Sequence, residues 1–180
     1  MLAQTKIRRH GYHLMSLASI GMVAVAVFGI LTSAMPWMPD WHPQASGWNL
    51  AGLDWRQTQA LNQEGKTLLS LAGLTWTLAY LLPLVMLRRL GKRLYRHEAL
   101  SRPVADAFLW LAHSLLLFAA LRFAGSLLVL SAVAAGSSTA TFGINFSDAY
   151  LFVILCLGMY SVAHIMRLAA EAADDSRSIV

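Results

Sequence analysis

The sequence has little charge and almost no cysteine. Asp, Glu, Lys and Arg make up 13% of its 180 residues, and Cys156 is the single cysteine. Soluble domains carry about 25% charged residues, so the composition excludes an ordinary water-soluble fold. One cysteine cannot form an intramolecular disulfide, and the position of Cys156 inside an apolar run predicts a packing role.

The signature motifs of common enzyme classes are also missing. The chain contains no Gly-rich phosphate loop, no Gly-x-Ser-x-Gly elbow, no His-Glu-x-x-His and no Cys-x-x-Cys. Many NTPases, hydrolases, metalloproteases and thiol redox enzymes place their reactive groups with these motifs. We therefore expect a non-enzymatic protein and no resident cofactor.

Long apolar runs are abundant. Hydrophobic residues make up 57% of the chain, and the mean hydropathy is +0.55. Since a bilayer core of about 30 Å needs roughly 20 apolar residues in a helix, the pattern predicts four spans, at residues 14–34, 67–87, 104–134 and 148–170. The expected fold is an all-α integral membrane protein, with residues 1–180 forming one domain, an antiparallel bundle of four transmembrane helices. The first run is too long for the apolar part of a signal peptide and predicts an uncleaved span.

The cations predict the orientation of these spans. Lys and Arg are concentrated before span one, between spans two and three and after span four, whereas Arg56 and Lys66 lie in the first intervening loop. Positive residues are retained in short cytoplasmic loops. Both termini and the linker 88–103 are therefore predicted to be cytoplasmic, with outer loops at 35–66 and 135–147.

The loops differ in character. The Trp-rich outer loop holds Trp37, Trp41, Trp48 and Trp55 and predicts an interfacial belt, with an aromatic ligand-binding lobe as the alternative. Leu50, Leu53 and Leu61 suggest a short surface helix before span two, and the end of the second outer loop suggests a short strand.

The inner linker is strongly basic and predicts contact with anionic inner-leaflet lipids, without any nucleic-acid partner. Docking of an acidic cytoplasmic protein is the alternative. Leu87, Leu90 and Leu94 share one helical face of this segment, and its cations are Arg88, Arg89, Lys92, Arg93 and Arg96.

Span one carries small residues on one face, at Gly21, Gly29 and Ser33. Such faces allow close helix approach in lipid, either inside the monomer or with a homo-oligomer or membrane partner. Arg122 is an intramembrane charge, which costs at least about 2.5 kcal/mol on insertion scales. Asp148, Ser126 or carbonyl groups of an outer loop are its predicted partners, and structural anchoring, gating, signalling or anion contact its possible roles.

His113 and His164 are predicted at equal depth in spans three and four, where they can face each other. Asp106 shares the face of His113, while Tyr160, Arg167 and Glu171 share the face of His164. This polar patch fits a hydrogen-bonded pair, a proton relay or a pH-sensitive switch. Two histidines at matched depth in a helical bundle also fit axial ligation of haem b.

The second half resembles an uncharacterised bacterial family of four-span membrane proteins, a domain of unknown function. The resemblance covers about residues 75–180 and rests on 81–90, 141–148 and 166–180, with a departure at 97–100. It implies a multi-pass inner-membrane protein without assigned activity, whose genes in some bacteria are arranged like those of membrane proteins paired with small helix-turn-helix regulators. A cytoplasmic regulator is therefore a possible partner. We therefore expect action through protein interaction or sensing, possible alternatives being a haem b electron carrier through His113 and His164 and a small transporter or channel subunit.

Overall fold

The computed structural model describes residues 2–38, 55–96, 101–135 and 146–178, and all regular structure in these ranges is helical. Four long α-helices dominate: α1 (Leu2–Ala34), α3 (Gln63–Arg96), α4 (Arg102–Ala135) and α5 (Phe146–Ser178). A 3₁₀ turn, Met35–Trp37, follows α1, and the short helix α2, Trp55–Ala60, precedes α3. The suggested strand at the end of the second outer loop falls mostly outside the described residues, and α5 begins at Phe146.

Four of these helices are long and apolar enough to cross a membrane, over Ile7–Trp37, Gln63–Arg96, Arg102–Ala135 and Phe152–Ala173. The prediction of four helices long and apolar enough to span a membrane is thus confirmed. The helices extend beyond the predicted spans because hydropathy marks only the hydrocarbon-buried part, whereas Arg, Lys, Gln and Glu continue a helix readily into the headgroup region and water. A 34-residue helix such as α3 is about 51 Å long, against a hydrocarbon core of about 30 Å.

Helix α3 begins at a side-chain cap. Asn62 Oδ1 accepts a hydrogen bond from the Gly65 backbone N–H at 2.8 Å, which satisfies one of the free donors of the first turn. The amide nitrogen of Asn62 also donates to the Ala135 carbonyl at 3.1 Å, at the last residue of α4. One asparagine therefore caps the start of α3 and satisfies a carbonyl at the end of α4.

Large apolar side chains face outward along the described helices. Leu17 is 68% exposed, Ile20 66%, Leu157 62% and Ile165 64%. A soluble monomer rarely exposes apolar surface so extensively, whereas lipid tails cover it without cost. The exposure pattern agrees with the hydropathy of the spans.

The chain divides into two compact units. Unit 1 comprises residues 1–23, 81–118 and 146–180, and unit 2 comprises residues 24–80 and 119–145. In unit 1 the core is formed by Leu90, Val104, Ala107 and Leu111, with Leu87 and Leu94 packed against it. The apolar face of the basic linker therefore packs against α4, with Leu87 and Leu94 only partly buried by it. In unit 2 the core is formed by Leu61, Leu69, Ala72, Val129, Ala132 and Val133.

Neighbouring helices run antiparallel where they touch. In unit 1, α1 meets α3 at Gly11 and Gly91 and again at Gly21 and Leu84, so residue numbers rise on one helix as they fall on the other. In unit 2 the same two helices meet at Gly29 and Thr77, and at Ser33 and Gly73. For α3 with α4 in unit 2 the contacts are Gly65 with Ala132 and Gly125 with Trp76. For α4 with α5 in unit 1 they are His113 with Tyr160 and Phe118 with Phe152.

The small-residue face of α1 therefore packs against α3 of the same chain. A Cβ added at Gly29 would lie 2.1 Å from Thr77 Oγ1, and one at Gly21 would lie 3.4 Å from the Leu84 side chain. Ser33 Oγ donates to the Gly29 carbonyl at 2.7 Å, which satisfies its polar atom within the helix. In the monomer this face is already occupied at these three positions.

Candidate functional site

A cleft between α4 and α5 brings polar residues of unit 1 together. It encloses a cavity of about 270 Å³. Small side chains on both helices make room for it, since Ala105 and Ala163 lie in its wall. The lining residues are Ala105, Asp106, Leu109, Tyr160, Ala163, His164 and Arg167. The sequence predicted this grouping of Asp106 with Tyr160, His164 and Arg167 from their helical spacing.

His113 lies beside this cleft but does not line its cavity. The His113 and Tyr160 rings meet edge to face, with their centroids 5.3 Å apart, and His113 Nδ1 lies 2.8 Å from the Leu109 carbonyl oxygen. Tyr160 thus connects the two predicted histidines, because it contacts His113 and lines the cavity with His164. A carbonyl partner on one ring nitrogen is typical of ligand histidines, yet only His164 opens into the cavity. Haem ligation by the pair stays a prediction.

The cleft carries both signs of charge. Arg167 Nε lies 3.3 Å from Glu171 Oε1, an exposed pair one turn apart on α5, which contributes little to stability. Asp106, His164 and Tyr160 add a carboxylate, an imidazole and a phenol. This set can accept, donate and pass on protons or bind a small polar solute. Among the described residues no group of three or more His, Cys, Asp and Glu side chains could hold a metal ion.

Arg122 has aromatic neighbours in unit 2. Its guanidinium carbon lies 5.2 Å from the centre of the Trp76 ring and 5.7 Å from that of Tyr80. Both distances allow cation–π attraction. Trp76 and Tyr80 are four residues apart on α3 and so share one face. That spacing is visible in the sequence, but the partners expected for Arg122 were polar, and the aromatic pair was missed.

The backbone at Arg122 is held as well. Its carbonyl oxygen accepts hydrogen bonds from Trp76 Nε1 at 3.3 Å and from Ser126 Oγ at 3.0 Å. Ser126 therefore bonds the backbone of Arg122, not its guanidinium, and the side chain of Asp148 lies outside the described residues. The Trp76 ring lies directly over Gly125, where an added Cβ would be 2.2 Å from Trp76 Nε1.

The basic residues of α1 and α3 meet at one end of unit 1. The two helices touch backbone to backbone there, since a Cβ added at Gly11 would lie 2.8 Å from the Gly91 carbonyl oxygen. Arg8 Nε donates to the Tyr95 carbonyl at 3.1 Å, and its guanidinium lies 5.4 Å from the centre of the Tyr95 ring. We call the resulting cluster the basic end: Arg8, Arg9, Arg88, Arg89, Lys92, Arg93 and Arg96.

Most of the basic end faces outward. Apart from Arg93, which is half-buried and donates to the Pro103 carbonyl, its cations are exposed. Within the described part of the chain, none of them forms an ion pair with a carboxylate. Sequence reasoning placed these cations on one side of the membrane, but the contact that joins Arg8 and Arg9 to the linker cations depends on Gly11 and Gly91, whose role it missed.

All regular structure in the described ranges is helical, and four helices are long and apolar enough to cross a membrane, which is the pattern of multi-pass α-helical membrane proteins. Comparison of the chain with protein-family models, curated proteins and solved structures gave no match. Any more specific function has to be argued from this chain's own residues.

Proposed function

We propose that the protein resides in the bacterial inner membrane with both termini in the cytoplasm and acts there, without catalysis, by binding an acidic cytoplasmic protein through the basic end. The observation that carries this proposal is the contact of Gly11 with Gly91, which joins the cations of α1 and α3 into one surface. The bacterial inner-membrane location is the one that the resemblance of residues 75–180 implies, and it is part of the proposal. The concentration of Lys and Arg on one side supports the orientation.

The charges of this surface favour a partner over a purely structural role. Its exposed cations lack carboxylate partners among the residues that the structure describes. Unpaired cations attract anionic lipid, at about 1 kcal/mol each near the membrane surface. The same charges steer and select an acidic protein. Helix α3 carries the cations to Arg96, well beyond the length needed to cross the bilayer, where a soluble partner can reach them.

Neutralising three exposed cations, in the variant Arg89→Gln, Lys92→Gln, Arg96→Gln, is expected to weaken capture of a cytoplasmic partner about tenfold, because exposed ion pairs contribute about 0.2–1 kcal/mol each. The measurement is quantitative crosslinking and mass spectrometry in cells. A C-terminal fluorescent fusion that matures only in the cytoplasm reports topology. Arg8 and Arg93 stay unchanged because both bond backbone carbonyls.

The matched control exchanges cations without removing charge, as Arg89→Lys, Lys92→Arg, Arg96→Lys, and should retain the partner. If the neutralised variant keeps both its topology and an unchanged set of crosslinked proteins, the proposal is wrong. Loss of the same partner in the control would show that shape, not charge, governs the contact, which also contradicts the proposal.

A second candidate function is favoured by the cleft between α4 and α5. Asp106, Tyr160, His164 and Arg167 line a cavity inside helices of spanning length, and intramembrane ionisable groups commonly mark ion or proton pathways. A small transporter or channel subunit would use this cleft in one unit and Arg122 in the other. Purified protein in liposomes should then show a pH-dependent flux of protons or small ions across the bilayer. His164→Gln and Arg122→Gln should abolish this flux, and His10→Gln should retain it. Flux that is equal in all three variants would contradict it.

A further inference from the structure

A second cavity lies in unit 2, beside the start of α3. Its volume is about 430 Å³, within the range of small-ligand sites. The 3₁₀ turn after α1, the end of α2 and the first turns of α3 surround it. The lining residues are Pro36, Trp37, Gln59, Leu61, Gln63 and Lys66.

The hydrogen-bond donors on the polar side of the cavity have unused bonding capacity. Gln59 Nε2 is buried and has no hydrogen-bond partner among the residues that the structure describes. Its other amide atom, Oε1, accepts from Lys66 Nζ at the long distance of 3.5 Å. Buried polar groups are nearly always satisfied, so an orphaned donor calls for an explanation. An acceptor supplied by a ligand is one, because a rotation of the Gln59 side chain that brings the buried Nε2 to the cavity would complete the hydrogen bonding of the amide.

The charge of the cavity is positive. Within the described residues Lys66 forms no ion pair, and its ammonium group can donate two further hydrogen bonds. Glu64, in the first turn of α3, is exposed and does not line the cavity. The group that fits an ammonium and an amide N–H together is therefore an oxyanion, and charge-assisted bonds of this kind are the strong ones.

The other side of the cavity is apolar and lies at the ends of two spans. Pro36 and Leu61 are buried, whereas Trp37 is 49% exposed. Trp37 Nε1 donates to Ser70 Oγ at 2.9 Å, which fixes the ring. The first candidate span ends at Trp37 and the second begins at Gln63. Tryptophan at a span end is typical of the headgroup level, where phospholipid phosphates lie.

From this geometry we propose that the cavity binds a phosphate group, with Lys66 and Gln59 donating to its oxygens and Trp37, Pro36 and Leu61 contacting the organic part of the same molecule. The phosphate belongs either to a phospholipid headgroup or to a soluble phosphate ester. Two different features carry the proposal, the amide of Gln59 and the ammonium of Lys66, neither of which has its full set of partners within the described ranges. It concerns other residues than the basic end and does not depend on the function proposed above.

The test measures thermal unfolding of delipidated protein in a non-ionic detergent with added phosphatidylglycerol. We expect the ligand to raise the midpoint by about 5 °C at a concentration well above its Kd. The matched ligand is diacylglycerol with the same acyl chains, which lacks the phosphate and should give no specific increase. Equal increases from the two lipids would overturn the proposal.

The decisive variant is Gln59→Leu, because its two expected effects have opposite signs. Removing the orphaned amide should raise the midpoint of the ligand-free protein by roughly 2 °C, and should also remove most of the increase caused by phosphatidylglycerol. Gln57→Leu makes the same chemical change two residues away, outside the cavity lining, and should keep the lipid-dependent increase. If Gln59→Leu keeps that increase in full, the proposal is wrong.

Variants at Lys66 and a soluble ligand complete the test. Lys66→Gln should weaken the apparent Kd for phosphatidylglycerol roughly tenfold, while Lys66→Arg, which keeps the charge, should restore it to within a few-fold. Glycerol 3-phosphate identifies the source of the phosphate. A stabilisation equal to that by the lipid indicates a soluble ester, and no stabilisation indicates the lipid headgroup. An unchanged Kd for Lys66→Gln would contradict the proposed role of the ammonium.

Discussion

Gly11→Leu is expected to separate α1 from α3 and to lower the midpoint of thermal unfolding in detergent by at least about 5 °C. A Cβ at this position would lie 2.8 Å from the Gly91 carbonyl oxygen and 2.9 Å from the Tyr95 backbone nitrogen. Both are backbone atoms of a continuous helix, so neither can move aside alone. Overpacking of this kind costs about 1–3 kcal/mol and sometimes more, and here it also displaces the hydrogen bond from Arg8 to Tyr95.

Gly158→Leu is the matched control for this prediction. A Cβ added at Gly158 meets no atom of the described residues within 4 Å, and leucine favours a helix over glycine by up to about 1 kcal/mol. Its midpoint should therefore equal or exceed that of the natural chain, whereas Gly91→Leu should behave like Gly11→Leu because the contact is reciprocal. Equal midpoints for the Gly11 and Gly158 variants, measured by circular dichroism, would show that α1 and α3 do not touch there.

Trp76→Ala should produce the second large loss, about 2 kcal/mol of unfolding free energy, which is below the roughly 3–5 kcal/mol of a fully buried aromatic because the Trp76 ring is half-buried. The ring packs against the core of unit 2, covers Gly125 and donates to the Arg122 carbonyl at 3.3 Å. Its removal also deprives the Arg122 guanidinium of one of its two aromatic neighbours. Denaturation of protein in mixed micelles by a graded ionic detergent measures the change.

Two comparisons separate the causes of that loss. Trp110 is 59% exposed, so Trp110→Ala changes the same atoms on a lipid-facing surface and should cost much less. The cycle formed by Trp76→Ala, Arg122→Gln and the double variant isolates the attraction between ring and guanidinium, expected at about 0.5–2 kcal/mol. A coupling energy of zero would mean that Arg122 gains nothing from Trp76 and that the ring acts only through packing.

The spans could be predicted from the sequence because a helix that crosses lipid has to be both long and apolar. Both properties can be read directly from the order of the residues. Helix ends could not be predicted, since no apolar signal marks a helix in the headgroup region. Asn62 caps α3 before Gln63, and α3 continues through the basic segment to Arg96. The Leu87, Leu90 and Leu94 face was recognised as helical, but whether lipid or protein covers it depends on α4.

The polar groups likewise divide into those whose arrangement the sequence predicts and those whose arrangement it does not. Helical spacing was sufficient to assemble Asp106, Tyr160, His164 and Arg167, because each helix contributes a local pattern and the antiparallel order aligns the two. The environment of Arg122 was harder, since aromatic rings are common in membrane spans and their contact with a cation is not marked by charge. The cavity at Gln59 and Lys66 depends on where a 3₁₀ turn, α2 and α3 meet, and nothing local in the sequence signals it.

The bond from Arg8 to Tyr95 joins residues 87 positions apart in the chain, and this separation has a consequence for biogenesis. At roughly 5–20 residues per second, between about 4 and 17 s of translation separate the two residues. During that interval the glycine face of α1 lacks its helix partner and contacts lipid or the insertion machinery. Of the four candidate spans, α1 has the most apolar window, which suits a helix that must stay in the bilayer alone until α3 arrives.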